Sequence, residues 1–175
     1  MKQVYLAGPS VFRPDARAEA AHQQALCRAA GFEGLAPIDK ELTAPDAGTL
    51  VHQIYEGNRI LMDTADGMIA EMTTFRGAYM DVGTAYEMGY AAARGIPLVG
   101  WCEDARDYVE KLGAQGYVIT ADADGIPRDQ NNMQAEDFGI IDNVMMVAGA
   151  DIICERFEHA VAAMARLLNI GPPGI

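Results

Sequence analysis

Short apolar runs alternate along the chain with longer, mixed stretches. Val4-Tyr5-Leu6-Ala7 is stopped by Gly8-Pro9, which predicts a buried strand and a turn. Pro14-Asp15 opens an Ala-rich stretch to Ala30 that reads as a helix, closed by Gly31. Leu35-Ala36-Pro37-Ile38 is a weaker strand, and the polar segment Asp39–Gly48 reads as a surface loop. Thr49 is placed to cap a helix to about Asp63, with Leu50, Ile54, Ile60 and Leu61 as its apolar positions. Gly67-Met68-Ile69-Ala70 is the next strand, followed by a loop from Glu71 to Met80 and a helix over Val82–Arg94 that Gly95 and Pro97 end. Leu98-Val99-Gly100-Trp101 is another strand. A short helix is expected from Asp104 to about Leu112, and a strand or sheet edge at Tyr117-Val118-Ile119. Asp122–Asn132 reads as the least ordered segment. A helix around Ile141–Ala148, a strand at Ile152-Ile153-Cys154 and a helix over Phe157–Leu168 complete the series.

Strands separated by helices imply right-handed crossovers and a parallel sheet covered on both faces. The expected fold is therefore α/β, a Rossmann-like (flavodoxin-like) three-layer sandwich around a central parallel sheet. The expected organisation is one domain over residues 1–170 with a tail at 171–175. Such sheets bind ligands at the carboxyl ends of their strands. That singles out Gly8 to Phe12, Glu71 to Asp81 and Trp101 to Asp104.

Charge narrows the partners. Thirteen Lys and Arg against 25 Asp and Glu give a net charge of −12, which a phosphate backbone would repel, so no nucleic acid is expected as partner. No apolar run is long enough to cross a bilayer, and Met1–Ala7 is too short for a signal peptide, so a cytoplasmic protein with no membrane partner is expected. Cys27, Cys102 and Cys154 are far apart and read as reduced thiols, and His22, His52 and His159 have no metal-ligand spacing. Phosphate-cradling glycine motifs and a nucleophile elbow are both missing.

The stretch Phe75–Tyr90 carries most chemistry. On a helix over Val82–Arg94, Ala85, Met88 and Ala92 share a face expected to meet the sheet. Glu87 points elsewhere, and three of its four helical neighbours, Gly83, Thr84 and Ala91, are small enough to admit a ligand. A carboxylate in the first turns of a helix is favoured in its ionised form and can serve as a nucleophile. An exposed helix-face Glu is the plain alternative. Asp81 equally suits an ordinary N-cap, and Tyr5 an ordinary core residue whose hydroxyl has found a partner.

These residues together resemble the nucleoside 2-deoxyribosyltransferase family. The resemblance rests on Val4-Tyr5-Leu6-Ala7-Gly8-Pro9 with Phe12, on Asn58 followed at Asp66 by Gly67-Met68-Ile69-Ala70, and on the Phe75-Arg76-Gly77 turn. The core Asp81-Val82-Gly83 with Glu87-Met88-Gly89-Tyr90-Ala91, and then Asn143-Val144-Met145, complete it. It implies a cofactor-independent enzyme that moves 2-deoxyribose between nucleobases, with 2′-deoxyribonucleosides and free purine or pyrimidine bases as partners. Glu87 corresponds to the nucleophile, Tyr5 to the tyrosine that positions it, and Asp81 to the aspartate that helps hold the base and handle its proton. Gly8, Phe12, Asn58, Phe75, Arg76, Gly77 and Gly83 fall at substrate-binding positions. Asn143 and Met145 correspond to a pair that completes a neighbouring subunit's site, which implies a homo-oligomer. One departure stands out: part of the family has an aspartate at the position of Asn58, and an amide cannot donate a proton as a carboxylic acid does.

Two alternatives remain. Related hydrolases cleave deoxynucleoside 5′-monophosphates with the same tyrosine and glutamate, and Arg76 is the nearby cation that would favour a phosphate. A nucleoside sensor on the same scaffold would have no need of a nucleophile.

Overall fold

The computed structural model describes residues 1–39, 43 and 45–171. The expected tail beyond Gly171 and part of the expected Asp39–Gly48 loop lie outside the described residues. In chain order the main elements are β1 (Gln3–Ala7), α1 (Ala16–Ala29), β2 (Glu33–Leu35), α2 (Ala47–Thr64), β3 (Gly67–Glu71), α3 (Val82–Arg94) and β4 (Leu98–Trp101). There follow α4 (Tyr108–Ala114), β5 (Thr120–Ala121), β6 (Pro127–Arg128), α5 (Val144–Gly149), β7 (Ile152–Cys154) and α6 (Phe157–Leu167).

The central sheet has the order β2-β1-β3-β4-β7, with every neighbouring pair parallel. The strands are short because both their faces are buried and each ends where the chain must turn into a crossover. Alternation along β1 separates the two faces. Tyr5 and Ala7 join Met68 and Ala70 of β3 under α2, α3 and α5, against Met62, Met88 and Met146. Val4 and Leu6 join Ile69 and Val99 on the other face, against Cys27 of α1 and Ala160, Val161 and Met164 of α6. Three layers result, as the alternation of elements predicts. The chain crosses from one side of β1 to the other between β2 and β3, so the strand order reverses there and a crevice opens at the carboxyl ends of β1 and β3.

Several local expectations are corrected. Pro37 lacks the N–H that would extend β2, and Pro37–Asp39 form a 3-10 turn instead of strand. Asp46, not Thr49, caps α2: its carboxylate accepts the Thr49 N–H at 2.9 Å. The short helix starts at Tyr108 rather than Asp104, because Asp107 and Glu110 form a reciprocal capping box. Tyr117–Ile119 is not a strand; the pairing lies in the β5–β6 hairpin, whose turn and second strand fall inside the segment read as least ordered. Its turn is held by Asp122, whose Oδ1 accepts the Asp124 and Ile126 N–H groups. Asn143 caps α5 and so delays it to Val144. On α3 the buried positions are Thr84, Met88 and Ala91, while Ala92 is exposed, so the helix is rotated slightly from the expected phase. Gly95 ends α3 at φ 64°, the left-handed conformation in which a side chain is disfavoured.

Candidate active site

A cleft of about 410 Å³ opens at the carboxyl ends of β1 and β3. Its floor comes from Gly8 and the β1–α1 loop, one wall from Asp81, Gly83, Thr84 and Glu87 of α3, and the other from Asn58 and Ile54 of α2. Val11, Phe12, Pro37 and Ile38 add apolar surface, and Arg17 of α1 adds a cation. A planar, largely apolar ligand with a few polar edges suits such a lining.

Glu87 lines the cleft and meets Tyr5 beneath it. The alternation of β1 sends Tyr5 toward α3, where it is fully buried, and its hydroxyl donates to Glu87 Oε1 at 2.6 Å. Asn58 Nδ2 donates to the same oxygen at a longer 3.4 Å. Burial raises the Glu87 pKa above the ordinary 4.5; the hydrogen bonds from Tyr5 and Asn58 oppose that rise, and the Asp81 charge adds to it. Burial, with the adjacent Glu87 charge, pushes the Tyr5 phenol far up, so the phenol keeps its proton and remains the donor. Glu87 is therefore not the exposed helix-face residue, and among the described residues it has no ion pair: it is a half-buried carboxylate held by two neutral donors on one oxygen.

Asp81 is an N-cap, as the plainer reading holds: its Oδ2 accepts the Thr84 N–H at 2.9 Å and the Thr84 hydroxyl at 3.0 Å. It also lines the cleft, so capping does not take it out of the site. A Cβ on Gly83 would approach Asp81 Oδ2 to 3.0 Å, and one on Gly8 would come within 2.7 Å of Glu71 Cβ. Glycine at both positions keeps the cleft wall and the cap uncrowded.

Phe75 and Arg76 lie behind Phe12 rather than in the cleft lining. The Phe12 and Phe75 rings stack at 5.3 Å, and the Arg76 guanidinium lies 4.5 Å from the Phe75 centroid. Arg76 adopts φ 56° to reach that position. Gly77 follows in open space, where a Cβ would meet nothing within 4 Å. Phe12 is 58% exposed at the cleft mouth.

Asn143 and Met145 do not reach the cleft of their own chain. Asn143 Oδ1 accepts the Met145 N–H at 3.0 Å, its Nδ2 donates to Glu136 at 2.9 Å, and Met145 is 72% exposed. Asp66, part of the same motif as Asn58, works at the other end of the sheet: it accepts the Gln3 N–H at 2.8 Å and the Lys2 ammonium. Sequence reasoning missed Arg17, Ile38 and Ile54. They come from three different elements, and only the strand order brings them together. Among the described residues no group of three His, Cys, Asp or Glu side chains is arranged to hold a metal ion, and no helix is long and apolar enough to cross a membrane.

Known proteins share the sequence pattern and the fold. An uncharacterized protein of Schizosaccharomyces pombe is 37% identical over 95% of this chain and 90% of its own length. A solved 2-desoxiribosyltransferase from Leishmania mexicana superposes with a TM-score of 0.74 at 33% identity, covering 95% of this chain and 98% of that one. A 2-deoxyribosyltransferase from Bacillus psychrosaccharolyticus, at 16% identity and TM-score 0.52 over 80% of this chain and 96% of that one, shares the fold. The family described as nucleoside 2-deoxyribosyltransferase matches residues 4–145, which hold β1, the cleft, Tyr5, Asp81 and Glu87. By that match and the Leishmania likeness, the chain belongs to the nucleoside 2-deoxyribosyltransferase family.

Proposed function

We propose that this protein exchanges the nucleobase of 2′-deoxyribonucleosides through a covalent deoxyribosyl-Glu87 intermediate. The observation that carries the reading is the Tyr5 hydroxyl on Glu87 Oε1 at 2.6 Å, which holds a carboxylate that lines the cleft at the β1–β3 crevice. Holding one carboxylate oxygen turns the other toward the sugar. Glu87 attacks C1′, forming the C1′–O bond as the C1′–N bond to the base breaks. Asp81, on the same wall, helps the departing base acquire its proton. A second base then attacks C1′ from the face the first one left and restores the free carboxylate. This is the two-step logic of retaining glycosidases with a base in place of water. Apolar surface from Phe12, Ile38 and Ile54 suits a planar base. In this reading Asn143 and Met145, turned away from their own cleft, complete the site of a second copy.

Arg17 favours a second reading. Among the described residues it is the cation that lines the cleft, whereas Arg76 is held on the Phe12–Phe75 stack. An arginine there could take a 5′-phosphate, as a deoxynucleoside 5′-monophosphate hydrolase requires. One experiment separates the two. The protein is incubated with deoxyadenosine, hypoxanthine or cytosine, and separately with deoxynucleoside 5′-monophosphates. Exchanged nucleoside supports transfer; free sugar phosphate without exchange supports hydrolysis. Intact-mass measurement with deoxynucleoside alone should find one deoxyribosyl adduct, mapping to Glu87 and missing from Glu87→Ala. Glu87→Ala should lose at least ~10³-fold in activity, the scale expected for removing a covalent catalyst.

A further inference from the structure

The geometry points to Asp142 as a positioning residue that ties the Asp81 cap and the Asn143 cap into one unit, a role whose kinetic consequence rests on the transfer reaction proposed above. Asp142 is 2% exposed. Its Oδ2 accepts the Met80 N–H at 2.9 Å and its Oδ1 accepts the Asn143 N–H at 2.8 Å. Met80 immediately precedes Asp81, whose carboxylate caps α3 and lines the cleft. Asn143 caps α5. One rigid carboxylate thus holds two backbone donors that lie 63 positions apart in the sequence.

The carboxylate is itself fixed. Lys111, 1% exposed, donates to the carbonyl of Ile141 at 2.9 Å, and the Tyr108 N–H donates to the carbonyl of Ile140 at 2.8 Å. Residues 140–142 are therefore pinned on α4. The chain before Asp81 is anchored to the same helix by the hydroxyl pair of Tyr79 and Tyr108. Met80 is in no strand, so its buried N–H has no ladder partner, and Asp142 supplies the acceptor. A carboxylate is acceptor-only and satisfies two N–H groups at once, which an amide cannot do with both of its ends.

Displacing Met80 shifts Asp81, and a shift of about an ångström far from the reacting atoms can cost ~10²-fold in rate. Asp142→Asn should therefore lower kcat/KM for base exchange by roughly 10–100-fold, mostly in kcat. In a double variant with Asp81→Asn, the Asp142 substitution should add less than about a further twofold, because both act through one group. A folded Asp142→Asn protein with unchanged kcat/KM, or an effect that multiplies fully with that of Asp81→Asn, overturns the assignment.

Hydrogen exchange supplies a readout that needs no activity. In the wild type the Met80 and Asn143 amides should open with the same free energy, and in Asp142→Asn both should lose protection while amides of β1 and β3 keep theirs. Different opening energies for the two amides in the wild type overturn the proposal even if the variant does not fold. A wild type that shows coupled opening but neither exchanges nor hydrolyses deoxynucleosides leaves Asp142 as the shared tie and sinks only the transfer reaction.

Discussion

The Tyr5 hydroxyl donates to Glu87 Oε1 at 2.6 Å, joining the second buried residue of the first strand to the middle of α3. The bond ties the sheet beneath the cleft to the cleft wall. It also favours the ionised carboxylate, because a donor on that form opposes the effect of burial.

Tyr5→Phe removes that donor and keeps the ring. Turnover should fall by about 10–100-fold, the scale of one hydrogen bond that strengthens in the transition state. The acidic limb of the pH–rate profile should also move to higher pH. In the proposed mechanism Glu87 acts ionised; its pKa already lies above the ordinary 4.5, and losing the Tyr5 bond raises it further. The check is kcat/KM against pH for both proteins. A limb that stays in place with reduced turnover would show that Tyr5 orients Glu87 without tuning it.

Asn58 shares Glu87 Oε1 at 3.4 Å, and its being an amide has a consequence. A second carboxylate at that distance would raise the Glu87 pKa by like-charge repulsion. Asn58→Asp should thus shift the acidic limb upward and depress activity near neutral pH. The two carboxyls would then titrate as a pair. A profile identical to that of the wild type would show that Asn58 faces the base and not Glu87.

Glu87 should cost the fold stability. Its pKa is higher folded than unfolded, so the unfolded chain releases its proton first as pH rises. Stability relative to Glu87→Gln is unaffected well below pH 4.5, where both states are protonated. It then declines as pH rises through 4.5 and levels off above the folded pKa. The neutral Gln variant should therefore melt higher than the wild type at neutral pH and lose that advantage in acid, while lacking activity. Thermal melts at neutral and acidic pH decide this, and equal melting temperatures at both pH values would refute it.

Much of this was legible in the sequence, for identifiable reasons. The boundaries of α3 and β4 coincide with the expected Val82–Arg94 and Leu98–Trp101, because Asp81, Gly95 and Pro97 mark the turns between them. The Tyr5–Glu87 contact was legible only through resemblance, since nothing local relates two residues 82 positions apart. Elements stabilised by a local side-chain bond were misplaced where a better cap stood nearby, as Asp46 displaces Thr49 and Asp107 displaces Asp104. The phase error on α3 has another source. Ala92 is apolar enough for the core, but tertiary packing selects Ala91 and Thr84 instead. Arg17 was illegible because a lone exposed arginine on a helix carries no pattern, and only the cleft gives it a role.

The assembly gives the most demanding test. Asn143 spends its side chain on the α5 cap and on Glu136, and Met145 is exposed, so neither serves the cleft of its own chain. α2 and α3 also carry exposed apolar side chains: Val51 at 65%, Val82 at 83% and Tyr86 at 57%. Apolar surface of this kind is costly to leave in water, and a docked second copy would cover it. If Asn143 and Met145 of that copy close the cleft, activity depends on association. Glu87→Ala and Asn143→Ala, each inactive or nearly so, should then complement one another. A mixed oligomer rebuilds some sites with Glu87 from one chain and Asn143 from the other. Because Asn143→Ala also removes a helix cap, worth about 1 kcal/mol, its folding is verified first by thermal melting. The two variants are denatured together, refolded and assayed for base exchange. Activity well above either parent supports a shared site. A mixture as inactive as its components, or a wild type active as a monomer in sedimentation at the assay concentration, returns Asn143 to a purely local role as the cap of α5.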